Sequence, residues 1–294
     1  QLQIKFLRLI SISCIGVMKE IGEIKSNLYK IAAVTDRGQR LNKLISPMYE
    51  EKANEMDELI DALKDFSFEI SEKLLSGEWE LIFSNVELFR SSPFFLAIEK
   101  ALNDEFKSNL FFKLHQLQVG SFGISTIGRI AQKIDFDKKE FISTFDTTIF
   151  GLTTIPILGW FKLLPTFGGR VITLASDLVL RNNLLDMNLQ KTKVSKVDGL
   201  NKIPLFSELL MDRWYPVKEV WNKLPWNKES PNCQVSIVYL DDEMRIMQDM
   251  YGSIFIYIRP SISLLNSNSI SNDCLLYTSP SPRDQRGSRM PSSA

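Results

Sequence analysis

The sequence predicts a mainly β protein with helices at its N-terminal end, its strands forming an antiparallel up-and-down β-barrel of about eight strands. Three observations carry that expectation. Apolar residues recur at helical spacing as far as Phe68 and at alternating positions after Gly77. Eight alternating segments follow, most of them joined by short turns with no helix between, which favours sequential antiparallel pairing. The composition (294 residues, 44% hydrophobic, 11% aromatic, 24% charged) supplies a sizeable core and excludes a disordered or collagen-like chain.

The helical period comes first. Ile21, Ile24, Leu28 and Ile31 fall three and four apart, as do Met56, Leu59, Ile60 and Leu63, with acidic residues on the other face of the second group. Between them, Thr35, Asp36, Arg37 and Gly38 suit a helix stop and a turn. After Gly77, Trp79, Leu81 and Phe83 alternate with Glu80, Ile82 and Ser84, the pattern of a strand. A single helix is expected over 94–117.

The remaining strands come in pairs. Segment 123–135 is followed by the charged turn Asp137-Lys138-Lys139 and by strand 141–150, on which Phe141, Phe145 and Ile149 share a face. Segments 170–181 and 184–197 flank Asn182-Asn183, a natural two-residue hairpin because Asn tolerates positive φ. Segments 234–240, 244–248 and 253–258 close the series, with Gly252 in the last turn. Eight such strands commonly close on themselves, which removes exposed edges. A barrel of that size is filled by its own side chains or holds one small ligand.

Two stretches break the pattern. Residues 151–169 are apolar but interrupted by Pro156, Pro165 and several Gly. Residues 198–232 carry four Pro together with Trp214, Trp221 and Trp226. Loops this long in a compact domain usually have a function or cover something. In the first, Trp160, Phe161, Leu163, Leu164 and Phe167 beside Lys162 read either as a flap over the barrel mouth or as an interfacial membrane anchor.

The ends stand apart. Residues 1–17 are apolar with Lys5 and Arg8, a leader or targeting remnant set aside from the fold. Residues 18–75 form a helical segment packed on the barrel, 76–260 the barrel domain, and 261–294 a disordered tail. From about 276 the tail, LYTSPSPRDQRGSRMPSSA, reads as translated adaptor sequence, the rival reading being a genuine basic tail.

Charge and motifs restrict the function. Lys+Arg and Asp+Glu are both 35, so no large basic field exists for nucleic acid. Three Cys and one His argue against a disulfide scaffold, a zinc site and a metalloenzyme. No nucleophile elbow, P-loop, dinucleotide fingerprint or His-Glu-x-x-His occurs, so no catalytic residue, cofactor or metal is expected. His115 reads as structural or exposed, and Asp241, Asp242 and Glu243 as a solvated turn. Trp79, Leu81, Phe83, Phe141, Phe145, Ile149, Ile237 and Tyr239 line either a core or a lipid cavity, since both use the same residue types. Arg245 joins them on one condition. Facing inward, a guanidinium needs an acid or a polar ligand head; facing outward, it pairs with a surface carboxylate. Period two alone does not decide which.

Four stretches resemble the plastid lipid-associated protein family, the plastid fibrillins. They are TDRG at 35–38, LLSGEWELIFSN at 74–85, RSSPFFLAIEKAL at 90–102 and VYLDDEMRIMQDMYGSIFIYIRP at 238–260. They occur in the family's order over residues 22–260; one departure is Met247 to Tyr251 ahead of Gly252, where the family usually has a charged residue and Gly sooner. The resemblance implies a lipocalin-like barrel preceded by helices. It also implies a non-enzymatic plastid protein at thylakoids or plastoglobules, with the stroma as a further location. Such a protein binds or stabilises a carotenoid, quinone or other lipid, coats a lipid-droplet or membrane surface, or acts as a scaffold for a biosynthetic enzyme.

Overall fold

The structure, a computed structural model, describes residues 2–41, 47–66, 69–121, 126–149, 167–195, 212–222 and 230–261. By internal contacts the chain divides into Gln1–Arg259 and Pro260–Ala294, and of the second unit only Pro260 and Ser261 are described. Residues 151–166, with Trp160, Phe161, Leu163 and Leu164, lie outside the described residues, as does the tail beyond 261.

Helix α1 (Leu2–Val34) runs without a break past residue 18 and is followed by α2 (Pro47–Lys64) and the one-turn α3 (Glu72–Leu75). Strand β1 (Gly77–Ser84) leads through a 3-10 turn, Leu88–Ser91, into α4 (Pro93–Leu102) and α5 (Glu105–Ser121). Then come β2 (Thr126–Asp135), β3 (Glu140–Ile149), β4 (Phe167–Arg181) and β5 (Leu184–Ser195). A short α6 (Val217–Asn222) precedes β6 (Asn232–Leu240), β7 (Met244–Gln248) and β8 (Ile254–Ile258).

Each strand pairs antiparallel with the next, and β8 pairs back with β1, so the eight strands form a closed ring. The Asn182-Asn183 turn has both residues at positive φ (48° and 65°), as a two-residue hairpin requires. The single helix expected over 94–117 is two. Asn103 adopts the left-handed conformation that ends α4, and the Asp104 carboxylate accepts the Lys107 N–H at 2.9 Å to start α5.

The ring has two apolar layers. Inside lie Trp79, Leu81, Ile134, Phe141, Ala175, Leu185, Met187, Val235, Ile237, Met247, Phe255 and Tyr257, all buried, with Phe145 packed against them. Outside, α1 and α2 cover one wall: Ile21, Leu28, Ile31, Met56, Ile60 and Leu63 bury Phe83, Tyr239, Met244, Ile246 and Ile256. The period of three and four in the helices thus meets a sheet face, and each large apolar side chain withdrawn from water contributes about 1.5–3 kcal/mol.

Two of the predicted lining residues need correction. Phe83 and Tyr239 belong to the outer layer, not the interior. The cause is a pair of register shifts. Leu81 opposes Tyr257, yet Phe83 opposes Ile256; Ile237 opposes Met247, yet Tyr239 opposes Ile246. An extra residue on β1 and on β6 turns the following side chain to the other face. The shifts align an outer row Phe83–Ile256–Ile246–Tyr239 beneath the helices and an inner row Leu81–Tyr257–Arg245–Leu240.

The TDRG segment fastens the helices to the ring. The buried Thr35 hydroxyl donates to the Ile31 carbonyl at 2.7 Å and accepts the Gly38 N–H at 3.0 Å. Arg37 donates to the carbonyls of Gly128 and Ile127 at 2.7 and 2.8 Å. Gly38 sits at φ +85°, and a Cβ there would lie 2.0 Å from the Ser84 carbonyl oxygen. Only glycine fits this approach.

Candidate functional site

The interior carries one polar layer. Cross-strand partners share a face, so the row Trp79–Gln132–Ser143–Thr173–Thr192 runs around the inner wall from β1 to β5. On the opposite arc, β7 and β8 contribute Arg245 and Tyr257, which also oppose each other. Gln132 joins the two arcs. Its amide nitrogen donates to the Tyr257 hydroxyl at 2.8 Å and to the Ser91 carbonyl at 3.0 Å, and its oxygen accepts from Arg245 Nη2 at 2.5 Å.

Arg245 faces inward and is fully buried. Its guanidinium lies over the rings of Tyr257, 4.3 Å from the centroid, and Trp79, at 5.0 Å. Nε and Nη1 have no hydrogen-bond partner among the described residues, and neither does the hydroxyl of Ser143. No carboxylate pairs with Arg245 among the described residues. Burial, with Arg259 adding repulsion, pushes its pKa down to about 9, so it remains charged at neutral pH. Burial likewise pushes the Tyr257 phenol up to about 12.

Arg259 is differently placed. It stacks on Trp79 at 3.7 Å, and its side chain donates to the carbonyls of Leu74 (2.6 Å), Glu78 (3.3 Å) and Asp242 (3.4 Å). Gly77, at φ +112°, makes room for it: a Cβ there would meet Nη1 at 2.5 Å. Arg259 closes the ring beside β1, whereas Arg245 holds N–H groups that no described residue takes.

A second buried arginine has the opposite company. Arg90 reaches Glu99 at 2.6 Å, Asp249 at 3.6 Å and Glu87 at 3.7 Å, and it lies 4.4 Å from the centre of the Phe112 ring. Asp249 also ties the β7–β8 turn by accepting the N–H groups of Tyr251 (3.0 Å) and Ser253 (2.7 Å). Burial and the neighbouring Asp249 charge raise Glu99 to about 7, against the pull of Arg90. This cluster binds α4 and the 3-10 turn to the sheet. Of the departure noted at 247–251, Met247 and Gln248 end β7 and the rest lies in this turn, where Asp249 supplies the cap.

The other candidates resolve into structural roles or lie outside the description. Lys25 of α1 pairs with Asp241 at 2.6 Å and Glu243 at 3.0 Å, beside a surface cavity of about 300 Å³ that Met18, Ile21 and Asp242 also line. Burial opposes the Lys25 charge, but its two carboxylates outweigh that and hold it above the ordinary lysine range. Asp241 accepts the Tyr239 hydroxyl at 2.5 Å and the N–H groups of Glu243 and Met244. The acidic turn is therefore a helix-to-sheet clasp. No metal-holding cluster occurs among the described residues. Phe167 is the first residue of β4 and pairs with Ile149 in the ladder, so this end of the apolar stretch belongs to a strand; neither side chain is described. His115 lies on α5, its side chain outside the described residues.

Of the predicted lining residues, the interior thus brings together Trp79, Leu81, Phe141, Phe145, Ile237 and Arg245. The sequence reading missed Gln132, Ser143 and Tyr257. It also missed an apolar ridge on α5, where Phe106 is 76% exposed, Leu114 51% and Leu110 46%, while Phe112 is buried on the other side. The helix is apolar on both sides, a pattern available from its spacing. No family model matches the chain, and no curated protein and no solved structure matches it.

Proposed function

We propose that this chain is a non-enzymatic plastid protein of the plastid lipid-associated, or fibrillin, family. In this reading its ring of strands is a lipocalin-like barrel that binds or carries a carotenoid, a quinone or another lipid at thylakoids or plastoglobules. The observation that carries the reading is the interior itself: among the described residues, an apolar lining crossed by one polar layer, which holds a buried arginine whose N–H groups are incompletely used. An apolar lining accepts a hydrocarbon body through burial worth about 25 cal/mol per Å². A polar layer fixes its orientation, the usual division of labour in small-molecule sites.

The test is retention. The delipidated full chain is incubated with a mixture of β-carotene, plastoquinone, α-tocopherol and oleic acid, re-isolated by gel filtration and examined by mass spectrometry. One ligand retained at near-stoichiometric ratio supports the carrier; an empty protein contradicts it.

The α5 ridge favours a second reading, a coat on lipid-droplet or thylakoid surfaces. Phe106, Leu110 and Leu114 lie beside Lys107 and Lys113, a combination suited to an anionic interface. Flotation of the empty protein with lipid droplets, abolished by Phe106→Asp with Leu114→Asp, would support the coat.

A further inference from the structure

We propose that Arg245 is the head-group site of the ring, and that the ligand it takes is a monocarboxylate on a hydrocarbon tail. The inference rests on reading the interior as a ligand site and names the chemical class that site selects.

Arg245 brings five N–H donors into a place with no water-accessible surface. Gln132 takes one through Nη2; Nε and Nη1 carry three more that no described residue accepts. A buried donor without an acceptor costs about 1–3 kcal/mol, and a buried charge without a counter-charge costs more. An anionic oxygen answers both. Beside it, Gln132 opposes Ser143 across the ladder, and the Ser143 hydroxyl is a second buried group without a partner. Two unsatisfied polar groups on adjoining parts of one inner wall mark a place for a polar head, not a packing defect in one side chain.

The charge count selects the head. Arg259 faces the same indole, but its guanidinium is committed to the carbonyls of Leu74, Glu78 and Asp242. One uncommitted guanidinium balances one negative charge. A carboxylate carries that charge on two oxygens that suit guanidinium N–H groups. A phosphate monoester or a diphosphate would bring further charge into the interior with nothing to offset it. Leu81, Phe141, Ile237 and Phe255, all on the inner face, give the tail an apolar setting. Because Trp79, Tyr257 and Arg245 are wholly buried, the head enters only when the ring opens locally, so association is slow.

Oleic acid, oleyl alcohol and farnesyl diphosphate are titrated into the delipidated full chain, following quenching of tryptophan fluorescence, with wild type and Arg245→Met. The expected result is that wild type binds oleic acid about ten-fold or more tighter than the alcohol, a charge-assisted contact being worth about 1.4 kcal/mol or more. In Arg245→Met the acid falls to the level of the alcohol while the alcohol is unchanged. Equal affinity of acid and alcohol for wild type overturns the head-group assignment and leaves the carrier reading standing; no binding of any probe overturns both. Tighter binding of farnesyl diphosphate than of oleic acid overturns the carboxylate. Should the variant not fold, carboxyl-labelled [1-13C]oleic acid bound to wild type decides the question. Its resonance stays that of the ionised carboxylate at pH values where free fatty acid is protonated, and a normal titration contradicts the proposal.

Discussion

Arg90 and Arg245 are the two arginines buried most deeply in the described chain, and their surroundings are opposite. Arg90 stands among three carboxylates, and Arg245 among none. Both lie near aromatic rings, Phe112 for the first, Trp79 and Tyr257 for the second. The first arrangement sets one cation against acids and holds the turn, the 3-10 segment and α4 together, with Nε alone of its guanidinium nitrogens left without a hydrogen bond among the described residues. The second has no acid among the described residues and leaves both Nε and Nη1 over. A protein that needed only stability at position 245 would do as well with an apolar side chain of similar size. The difference separates an ion cluster within the chain from the guanidinium proposed above as a head-group site.

The largest effect should come from breaking the first cluster. Arg90→Met leaves Glu99 and Asp249 buried without a cation, and unfolding in urea should show a loss of about 3–5 kcal/mol. A loss below about 1 kcal/mol would erase the distinction drawn between the two arginines.

The same cluster predicts a pH dependence. Glu99 titrates near 7 in the folded state against an ordinary 4.5. Between those values the folded protein holds a proton that the unfolded chain has released, so stability falls as pH rises from about 4.5 to about 7 and then levels off. The contribution is on the order of 3 kcal/mol. Glu99→Gln should flatten this part of the profile in urea unfolding at a series of pH values. A wild-type profile that rises through the window, with the variant following it, would mean that burial and the Asp249 charge do not raise Glu99 as described.

Ser143→Ala probes the other layer. It removes a buried hydroxyl that has no partner, so stability should stay within about 1 kcal/mol of wild type or rise, as read from thermal denaturation. A loss of more than about 2 kcal/mol would show that the hydroxyl is satisfied and that the layer around Arg245 resembles the one around Arg90.

Much of this was legible in the sequence, for physical reasons that differ by element. The Asn182-Asn183 hairpin and the helix faces of Ile21–Ile31 and Met56–Leu63 were readable because local propensity and packing agree there. The facing of Phe83 and Tyr239 was not, because a single extra residue in a strand reverses every side chain beyond it and leaves no mark on the alternation. Arg245 stood out as a charge inside an apolar strand, yet its direction depended on that same register. Glu99 was within reach: it follows Leu96 by three and Phe95 by four, which puts it on the buried face of α4. Its partner Asp249, 150 residues away, was not, since only the closed ring brings the two together.

The central claim is that Arg245 is held in the interior for a ligand and not for the fold. Equilibrium urea unfolding of wild type and Arg245→Met, both delipidated, tests it most directly. The account predicts that the variant unfolds with a free energy within about 1 kcal/mol of wild type, or higher, because an unmatched buried charge has been removed. A loss of about 3 kcal/mol or more would contradict it and make Arg245, like Arg90, part of what holds the ring together.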